Sequence, residues 1–298
     1  MLEYSSIEEL VKAAEDKGCK ISEVVLADEA KQMEESEEAI YKRMAESFRV
    51  MREAVRKGTD KDLRSTSGLT GGDAYKMKSY REKTGGGLMG DFMTGAISRA
   101  IAVSEYNAAM GRIVATPTAG SCGIMPGCLV SLYEEKGADE RDVVMSMFTA
   151  AAFGMVIARN ACIAGAQGGC QAECGSASGM SAAALTELMG GSPKQCGDAL
   201  AIAIQNQMGL VCDPVAGLVE IPCIKRNASG CMIAFSAADM CLAGMVSEIP
   251  PDEVIIAMRN VGEALPASLR ETALGGLAAT PTAIKLREKV FGKENNRE

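Results

Sequence analysis

Histidine and tryptophan are absent from the 298 residues of this sequence, and aromatic residues make up only 4%. The missing histidine excludes a catalytic triad or an acid–base histidine within the chain, and every metal site that needs an imidazole ligand. The scarcity of aromatic rings argues against a platform on which bases or sugars stack. The net charge is −8 and no basic block occurs, which is unfavourable for binding nucleic acid or anionic membranes.

Long apolar runs and a leader sequence are also missing. The most apolar run, residues 143–158, is bounded by Asp142 and Arg159 and is shorter than the roughly 20 residues of a membrane span. The acidic N-terminus lacks the basic flank of a signal peptide. Cysteine, by contrast, is plentiful, and an odd number such as eleven argues against a disulfide framework. We therefore expect a cytoplasmic protein with no membrane or nucleic-acid partner.

Helix signals occur along most of the chain. Ser6 and Glu9 have the spacing of a capping box, and apolar residues recur at helical intervals between positions 40 and 55. Asp139 and Ser192 are each placed to cap a later helix. These patterns predict a mainly α fold, a compact helical domain with glycine-rich active-site loops.

Strand signals are rare, and the composition changes along the chain. The most strand-like stretch, residues 210–224, is interrupted by two prolines and a glycine. Charged helical patterns dominate residues 1–60, whereas alanine- and glycine-rich segments dominate residues 61–290. We therefore predict an N-terminal helical segment (1–60), a main domain with the glycine-rich loops (61–290) and a polar tail (291–298).

The cysteines fall into two groups by their surroundings. Most buried free cysteines are core residues, and six of the eleven are expected to be nothing more: Cys19, Cys128, Cys162, Cys196, Cys231 and Cys241. The others lie in or beside loops with glycine or proline: Cys122, Cys170, Cys174, Cys212 and Cys223. No CxxC pair occurs, which disfavours a zinc ribbon or a ferredoxin-like cluster. Any metal ligands therefore come from separated loops.

Three segments, in order, resemble the catalytic α chain of iron–sulfur-dependent L-serine dehydratases. They are AGAQGGCQAECGSASGM (164–180), NQMGLVCDPVAGLVEIPCIKRNA (206–228) and LRETALGGLA (269–278). Upstream, SGLTGGD and PTAGSCGIMPG are similar to the same family, and the resemblance extends from about residue 62 to about residue 282. It implies a lyase that removes water and then ammonia from L-serine to give pyruvate, with a [4Fe–4S] cluster and without pyridoxal phosphate.

The resemblance also implies the cluster ligands. The family's three cysteines correspond to Cys170 in GGCQ, Cys212 in VCDPVAG and Cys223 in PCIKRNA, whereas Cys122 and Cys174 do not match ligand positions. Three thiolates leave one iron of the cluster as an open Lewis-acid position. Single-chain members end in a cysteine shortly after GGLA. The corresponding tail here has none, so we expect no tail cysteine on that iron. Other members divide the protein into α and β chains. The resemblance implies the same division here, so we expect a β-chain partner and an oligomer.

Donors for a substrate carboxylate are expected in the two glycine-rich loops, SGLTGGD and PTAGSCG, whose hydroxyls and amides suit an anion. From the residues alone, an ordinary capped turn is the better explanation of each loop. The resemblance favours an anion site at Thr118, Ala119, Gly120 and Ser121. Arg270 and Glu173 are further polar groups of the motifs, the latter a second-sphere acceptor or a helix-capping acid. The candidate catalytic residues are Ser67, Thr118, Ser121, Asn160 and Arg226.

Several alternatives stay open at this point. A related cluster-dependent lyase acting on L-threonine or L-cysteine has the same motifs, since pockets discriminate a methyl group or an oxygen-to-sulfur change only modestly. A non-catalytic iron–sulfur redox carrier or sensor, or a helical interaction module, belongs to a different class. The base that takes the substrate α-proton is not identified. An unperturbed lysine or tyrosine is mostly protonated at pH 7 and cannot accept the proton. We therefore expect a histidine of a β chain to act as the base.

Overall fold

The computed structural model describes residues 4–292, and helices account for nearly all of their regular structure. Within this described part no strand forms, and an isolated parallel bridge joins Cys212 to Arg270. The predicted mainly α fold is therefore confirmed. The helices are α1 Ile7–Lys17, α2 Ile21–Met33, α3 Glu37–Gly58, α4 Asp73–Thr84, α5 Gly90–Ala108, α6 Ile124–Lys136, α7 Glu140–Asn160, α8 Gly165–Gly168, α9 Ser176–Leu188, α10 Pro193–Gln205, α11 Cys223–Leu242, α12 Pro251–Ala264 and α13 Pro281–Phe291.

Side-chain caps fix where several helices begin. Before α1, the Ser6 hydroxyl accepts a hydrogen bond from the Glu9 amide, and Gly18 ends the helix with a left-handed φ of 62°. Asp139 caps α7, and Ser192 caps α10 through a capping box. Each of these helix starts follows from the sequence, because the cap satisfies amides that have no partner inside the helix.

The core is built around α9, in which every residue from Ser176 to Glu187 is buried. Helices α7, α10 and α11 pack on it. Small side chains allow this close approach: a Cβ on Gly179 would lie 3.2 Å from the backbone oxygen of Leu200. The result is a tightly packed platform directly behind the cysteine-containing turn that precedes α9.

The N-terminal helices share this core. Side chains of α1, α2 and α3, including Ile7 and Phe48, belong to the same cluster of buried residues as those of α7 and α9. The predicted boundary at residue 60 falls in the connection after α3. Most of the predicted polar tail, residues 293–298, lies outside the described residues.

Helix α7 is the one described helix that is long and apolar enough to cross a membrane. Two thirds of its most apolar window (67%) is buried inside the protein. The helix packs against α2, α3 and α9. This burial is typical of a core helix.

Candidate active site

Loops that are far apart in the sequence meet at the N-terminal end of α11. The fully buried Asn227 joins them: its side-chain amide donates to the carbonyl oxygens of Gly120 (2.8 Å) and Cys223 (2.9 Å). Its own carbonyl oxygen accepts from the amide of Gly123 (2.8 Å). One side chain thus ties the PTAGSCG loop to the start of α11.

Four buried thiols surround this meeting point. Cys170 precedes the turn before α9, Cys212 lies in the connection after α10, and Cys223 is the first residue of α11. Their exposed fractions are 2%, 2% and 8%. The Sγ atoms of Cys170 and Cys174 are 3.4 Å apart, and Cys212 also hydrogen bonds with Cys170. The structure therefore brings Cys170, Cys174 and Cys212 together, and the third predicted ligand, Cys223, lies near enough for the charge of Cys170 to raise its pKa.

The turn that carries Cys174 is a π-helical turn, Gln171–Gly175, a type often found at functional sites. Gln171 anchors it on both sides. Its amide nitrogen Nε2 donates to the carbonyl of Met258 in α12 (2.9 Å), and its Oε1 accepts from the amide of Gly209 (2.8 Å). The π-helical turn, anchored in this way, sets the positions of Glu173 and Cys174 relative to the other loops.

Cys212 is held by the segment that contains LRETALGGLA. Its amide donates to the carbonyl of Leu269 (2.9 Å), and its carbonyl accepts from the amide of Glu271 (2.8 Å). Glu271 has a φ of 52°, in the left-handed region that residues other than glycine seldom occupy. Such a conformation persists only where the surrounding structure holds it, and functional sites concentrate such residues.

Arg226 supplies positive charge to the thiols. Its guanidinium donates to Asp213 (2.8 Å) and to the carbonyl of Val211 (2.9 Å). Hydrogen bonds with Cys174 and Cys212, helped by the Arg226 charge, hold the pKa of Cys170 well below its usual value. The hydrogen bond to Cys170 and burial raise the pKa of Cys174 and of Cys212.

Burial, followed by the charge of Cys170, raises the pKa of the Cys223 thiol to about 12. Cys170 is therefore the thiol of the group that ionises most readily, because each further thiolate is opposed by the first and by burial. A bound metal cation removes this opposition, and thiols that coordinate a metal lose their protons. Buried thiols from separate loops are thus a donor set that fits an iron–sulfur cluster.

Two carboxylates lie beside the thiols. Oxygens of Glu173 and Glu271 and the Sγ of Cys212 are all within 4.8 Å of one another. The Glu173 carboxylate accepts a hydrogen bond from the Thr118 hydroxyl (2.8 Å), which links it to the PTAGSCG loop. Burial raises the pKa of Glu173 to about 7, and the charges of Cys170 and Glu271 act in the same direction. The site therefore combines acidic groups, thiols and the predicted anion loop.

Ser121 and Ser67 occupy different parts of this region. The Ser121 hydroxyl is fully buried and donates to the carbonyl of Thr116 (3.0 Å). The Ser67 hydroxyl donates to Glu220 (2.7 Å), which also accepts from Thr70 (2.5 Å), so Glu220 joins the SGLTGGD loop to the segment before Cys223. A cleft of about 320 Å³ opens between these two segments.

Asn160 is directed elsewhere. Its side-chain amide donates to the backbone carbonyl of Ser5 (2.7 Å), and the backbone carbonyl of Asn160 accepts from Arg259 (3.2 Å). Within residues 4–292 the Asn160 side chain makes no hydrogen bond to the thiols. The geometry gives Asn160 the role of anchoring the segment before α1, because α7 ends beside that segment.

Comparison with known families places the motifs in context. The model of the family described as serine dehydratase alpha chain matches residues 16–278, which is most of the chain. The chain belongs to this family. The resemblance seen in the cysteine motifs is thereby confirmed.

Two relatives in the family are similar to the chain over almost their whole length, and a third is longer. The chain is 50% identical over 289 residues to the probable L-serine dehydratase, alpha chain, of Bacillus subtilis, covering 97% of this chain and 96% of that one. It is 44% identical over 290 residues to the L-serine dehydratase, alpha chain, of Peptoniphilus asaccharolyticus, covering 97% and 98%. The L-serine dehydratase 2 of Escherichia coli is 36% identical over 290 residues, but only 61% of its length is covered. Some family members thus carry additional sequence.

Several residues of the site were not singled out from the family's motifs. Glu271 stands next to Arg270 in LRETALGGLA, but nothing local in the sequence shows that it meets Glu173. Glu220 is separated from Ser67 by 153 residues, so only the fold shows that they bond. Arg270, a polar group of the same motif, donates its guanidinium to the carbonyls of Leu265 (2.7 Å) and Glu263 (2.5 Å).

Asn227→Ala is expected to lower the free energy of unfolding by about 1–3 kcal/mol, because it removes the side-chain partner of the Gly123 amide and of the Gly120 carbonyl in a buried place. Urea or thermal unfolding of the variant measures this loss. Asn206→Ala is the matched control, since that exposed amide donates only to the carbonyl of Ile202 (2.8 Å). The control should change stability by about 0.5 kcal/mol or less. Equal stability of the two variants would contradict the assigned role of Asn227.

Proposed function

We propose that the chain is the catalytic alpha chain of an L-serine dehydratase, which converts L-serine to pyruvate and ammonia. The observation that carries this proposal is the meeting of Cys170 and Cys212 in one buried group, with Cys223 within range of the Cys170 charge, all three on the motifs of the family. The reaction removes the α-proton and the β-hydroxyl of serine as water. The resulting aminoacrylate tautomerises, and its hydrolysis releases ammonia and leaves pyruvate.

We infer that the resident cofactor is a [4Fe–4S] cluster held by Cys170, Cys212 and Cys223. When bound, the cluster supplies a Lewis-acidic iron that weakens the bond between the substrate β-carbon and its hydroxyl oxygen. Arg226 stabilises the thiolates that hold it. Cys174 lies against Cys170 and remains outside the ligand set, as the family motif implies. Catalysis by this route does not require pyridoxal phosphate.

The PTAGSCG loop is proposed to bind the substrate carboxylate. The hydroxyls of Thr118 and Ser121 already donate to Glu173 and to the carbonyl of Thr116. The donors for an anion are therefore the amides of the short turn at residues 119–121, since the first amides of a helical turn have no partner within it. Thr118 and Ser121 hold this turn in place. Ser67, through Glu220, positions the neighbouring loop in the same way.

A β chain is the proposed partner, in an oligomer located in the cytoplasm. Two observations support the partner: the sequence contains no histidine, and the match to the longer Escherichia coli relative leaves much of that protein uncovered. A histidine is the side chain whose pKa is best suited to act as the base near pH 7. The free thiols of the described residues support a reducing compartment.

Anaerobic purification with the β chain, followed by assay of pyruvate from L-serine without added pyridoxal phosphate, tests the function. We expect iron and sulfide in the protein, turnover of serine, and loss of most activity in air that iron and a reductant restore, because oxidants remove an iron that lacks a thiolate ligand. L-threonine and L-cysteine, assayed in parallel, separate the related lyases. Full activity of an iron-free preparation would refute the proposed chemistry, and bound iron without any lyase activity would point to a redox or sensor protein.

A further inference from the structure

Glu173 and Glu271 face a common point beside Cys212. Gly165 marks this point, since a Cβ there would lie 2.8 Å from Oε2 of Glu173, 2.9 Å from Sγ of Cys212 and 3.0 Å from Oε2 of Glu271. The absence of a side chain at Gly165 therefore leaves room between the two carboxylates and the thiol. The space suits a small group.

Both carboxylates are held in position by the fold. Glu173 lies on the π-helical turn and accepts from Thr118 at 2.8 Å. Glu271 has its left-handed backbone fixed by the hydrogen bond to the carbonyl of Cys212, and the backbone of Ala166 hydrogen bonds to its carboxylate. Two partly buried acids are thus kept close together, although like charges repel.

The two acids have no cationic partner of their own. In the described part of the chain, no lysine or arginine lies within ion-pair distance of either carboxylate, and Arg226 pairs with Asp213 instead. Two acids beside a thiol therefore favour a ligand that brings a positive charge. A hydrogen-bonding cation of the size of an ammonium group satisfies both acids at once, since charge-assisted hydrogen bonds are the strongest of their kind.

We propose that Glu173 and Glu271 bind the α-ammonium group of the amino-acid substrate, an inference that rests on the proposed function. The adjacent PTAGSCG loop, which Thr118 joins to Glu173, receives the carboxylate of the same molecule. The two acids then select 2-amino acids and reject the corresponding 2-hydroxy acids, in which a neutral hydroxyl replaces the ammonium. This selectivity is separate from the removal of the β-hydroxyl.

L-Serine and L-glycerate are the matched probes, because they differ only in the group at the α-carbon. In the anaerobic holoenzyme, L-glycerate is expected to inhibit with a constant about 10- to 100-fold weaker than the KM for L-serine. Glu173→Gln and Glu271→Gln should each raise the KM for L-serine by about 10- to 100-fold and change the inhibition constant of L-glycerate by less than about threefold. Iron content should stay at the wild-type level.

Glu263→Gln is the control, since that exposed side chain forms a loose pair with Arg259 at 3.8 Å; it should leave both constants unchanged. Glu271→Asp, which keeps the charge, should restore part of the serine affinity. Equal loss of affinity for both probes, a fall in kcat alone, or a loss of iron in the Gln variants would overturn the ammonium assignment. Wild-type enzyme that binds L-glycerate as well as L-serine overturns it without any variant. Wild-type protein that turns over no serine refutes the proposed function instead.

Discussion

Cys212→Ala is expected to lose both bound iron and serine dehydration almost completely. The thiol lies in a buried cluster with Cys170 and Cys174, and its backbone is fixed by hydrogen bonds to the segment that carries Glu271. Removing it takes away one of three proposed ligands, and the remaining buried thiols cannot all ionise without the metal charge. Iron and sulfide analysis of the anaerobically purified variant, together with the pyruvate assay, measures the effect. Cys170→Ala and Cys223→Ala should behave in the same way.

The controls are cysteines that are equally buried and lie away from the site. Cys128 and Cys241 have exposed fractions of 0%, and Cys128 packs against Cys231 with the Sγ atoms 3.6 Å apart. Cys128→Ala and Cys241→Ala should keep iron and turnover, with only the small loss of stability that accompanies a smaller core side chain. Full iron and activity in Cys212→Ala would refute the ligand assignment.

Cys174→Ala decides between a set of three thiolates and a set of four. The Sγ of Cys174 lies 3.4 Å from the Sγ of Cys170, within hydrogen-bond distance, whereas the family motif gives Cys174 no ligand role. We therefore expect the variant to keep its iron. A loss of iron equal to that of Cys212→Ala would mean that the fourth thiol also holds the cluster.

The isolated alpha chain is expected to dehydrate serine about 10²- to 10⁴-fold more slowly than its complex with the β chain, the range contributed by a positioned general base. The physical reason is that this sequence contains no histidine to take the substrate α-proton. Both preparations must first be shown to carry the same amount of iron. Single-turnover pyruvate formation, with and without the β chain, then gives the ratio.

Substitution of individual β-chain histidines completes this experiment. One of them should abolish turnover while the complex still assembles and keeps its cluster. If the alpha chain alone, with its cluster intact, is as fast as the complex, the base lies in this sequence and the shared site is wrong. In that case Glu173 becomes the first carboxylate to test as the base, because burial raises its pKa to about 7.

Local features of the fold could be predicted from the sequence because their causes are local. Ser6, Asp139 and Ser192 cap helices at the expected places, since each side chain needs only amides two or three residues away. The π-helical turn at Gln171–Gly175 could not be predicted in this way. Its geometry depends on partners of Gln171 in α12 and in the loop before Cys212, which are distant in the sequence.

The candidate site also combines features that are marked locally in the sequence with features that depend on distant partners. The cysteines could be found because loop placement and family motifs mark Cys170, Cys212 and Cys223. The acidic pair could not be found, since Glu173 and Glu271 meet only through the hydrogen bonds between Cys212 and the LRETALGGLA segment. Asn160 had a suitable position in the sequence, at the end of a buried helix before the cysteine loop, but the orientation of α7 turns its side chain toward Ser5.

The bridge between Cys212 and the segment around Arg270 also bears on how the protein is made. The chain leaves the ribosome from its N-terminus, so all three proposed ligand cysteines emerge before Leu269 and Glu271, which fix the backbone of Cys212. A nascent chain that ends before Leu269 presents thiols whose spacing is not yet set. We therefore expect insertion of the proposed cluster to follow synthesis of nearly the whole polypeptide.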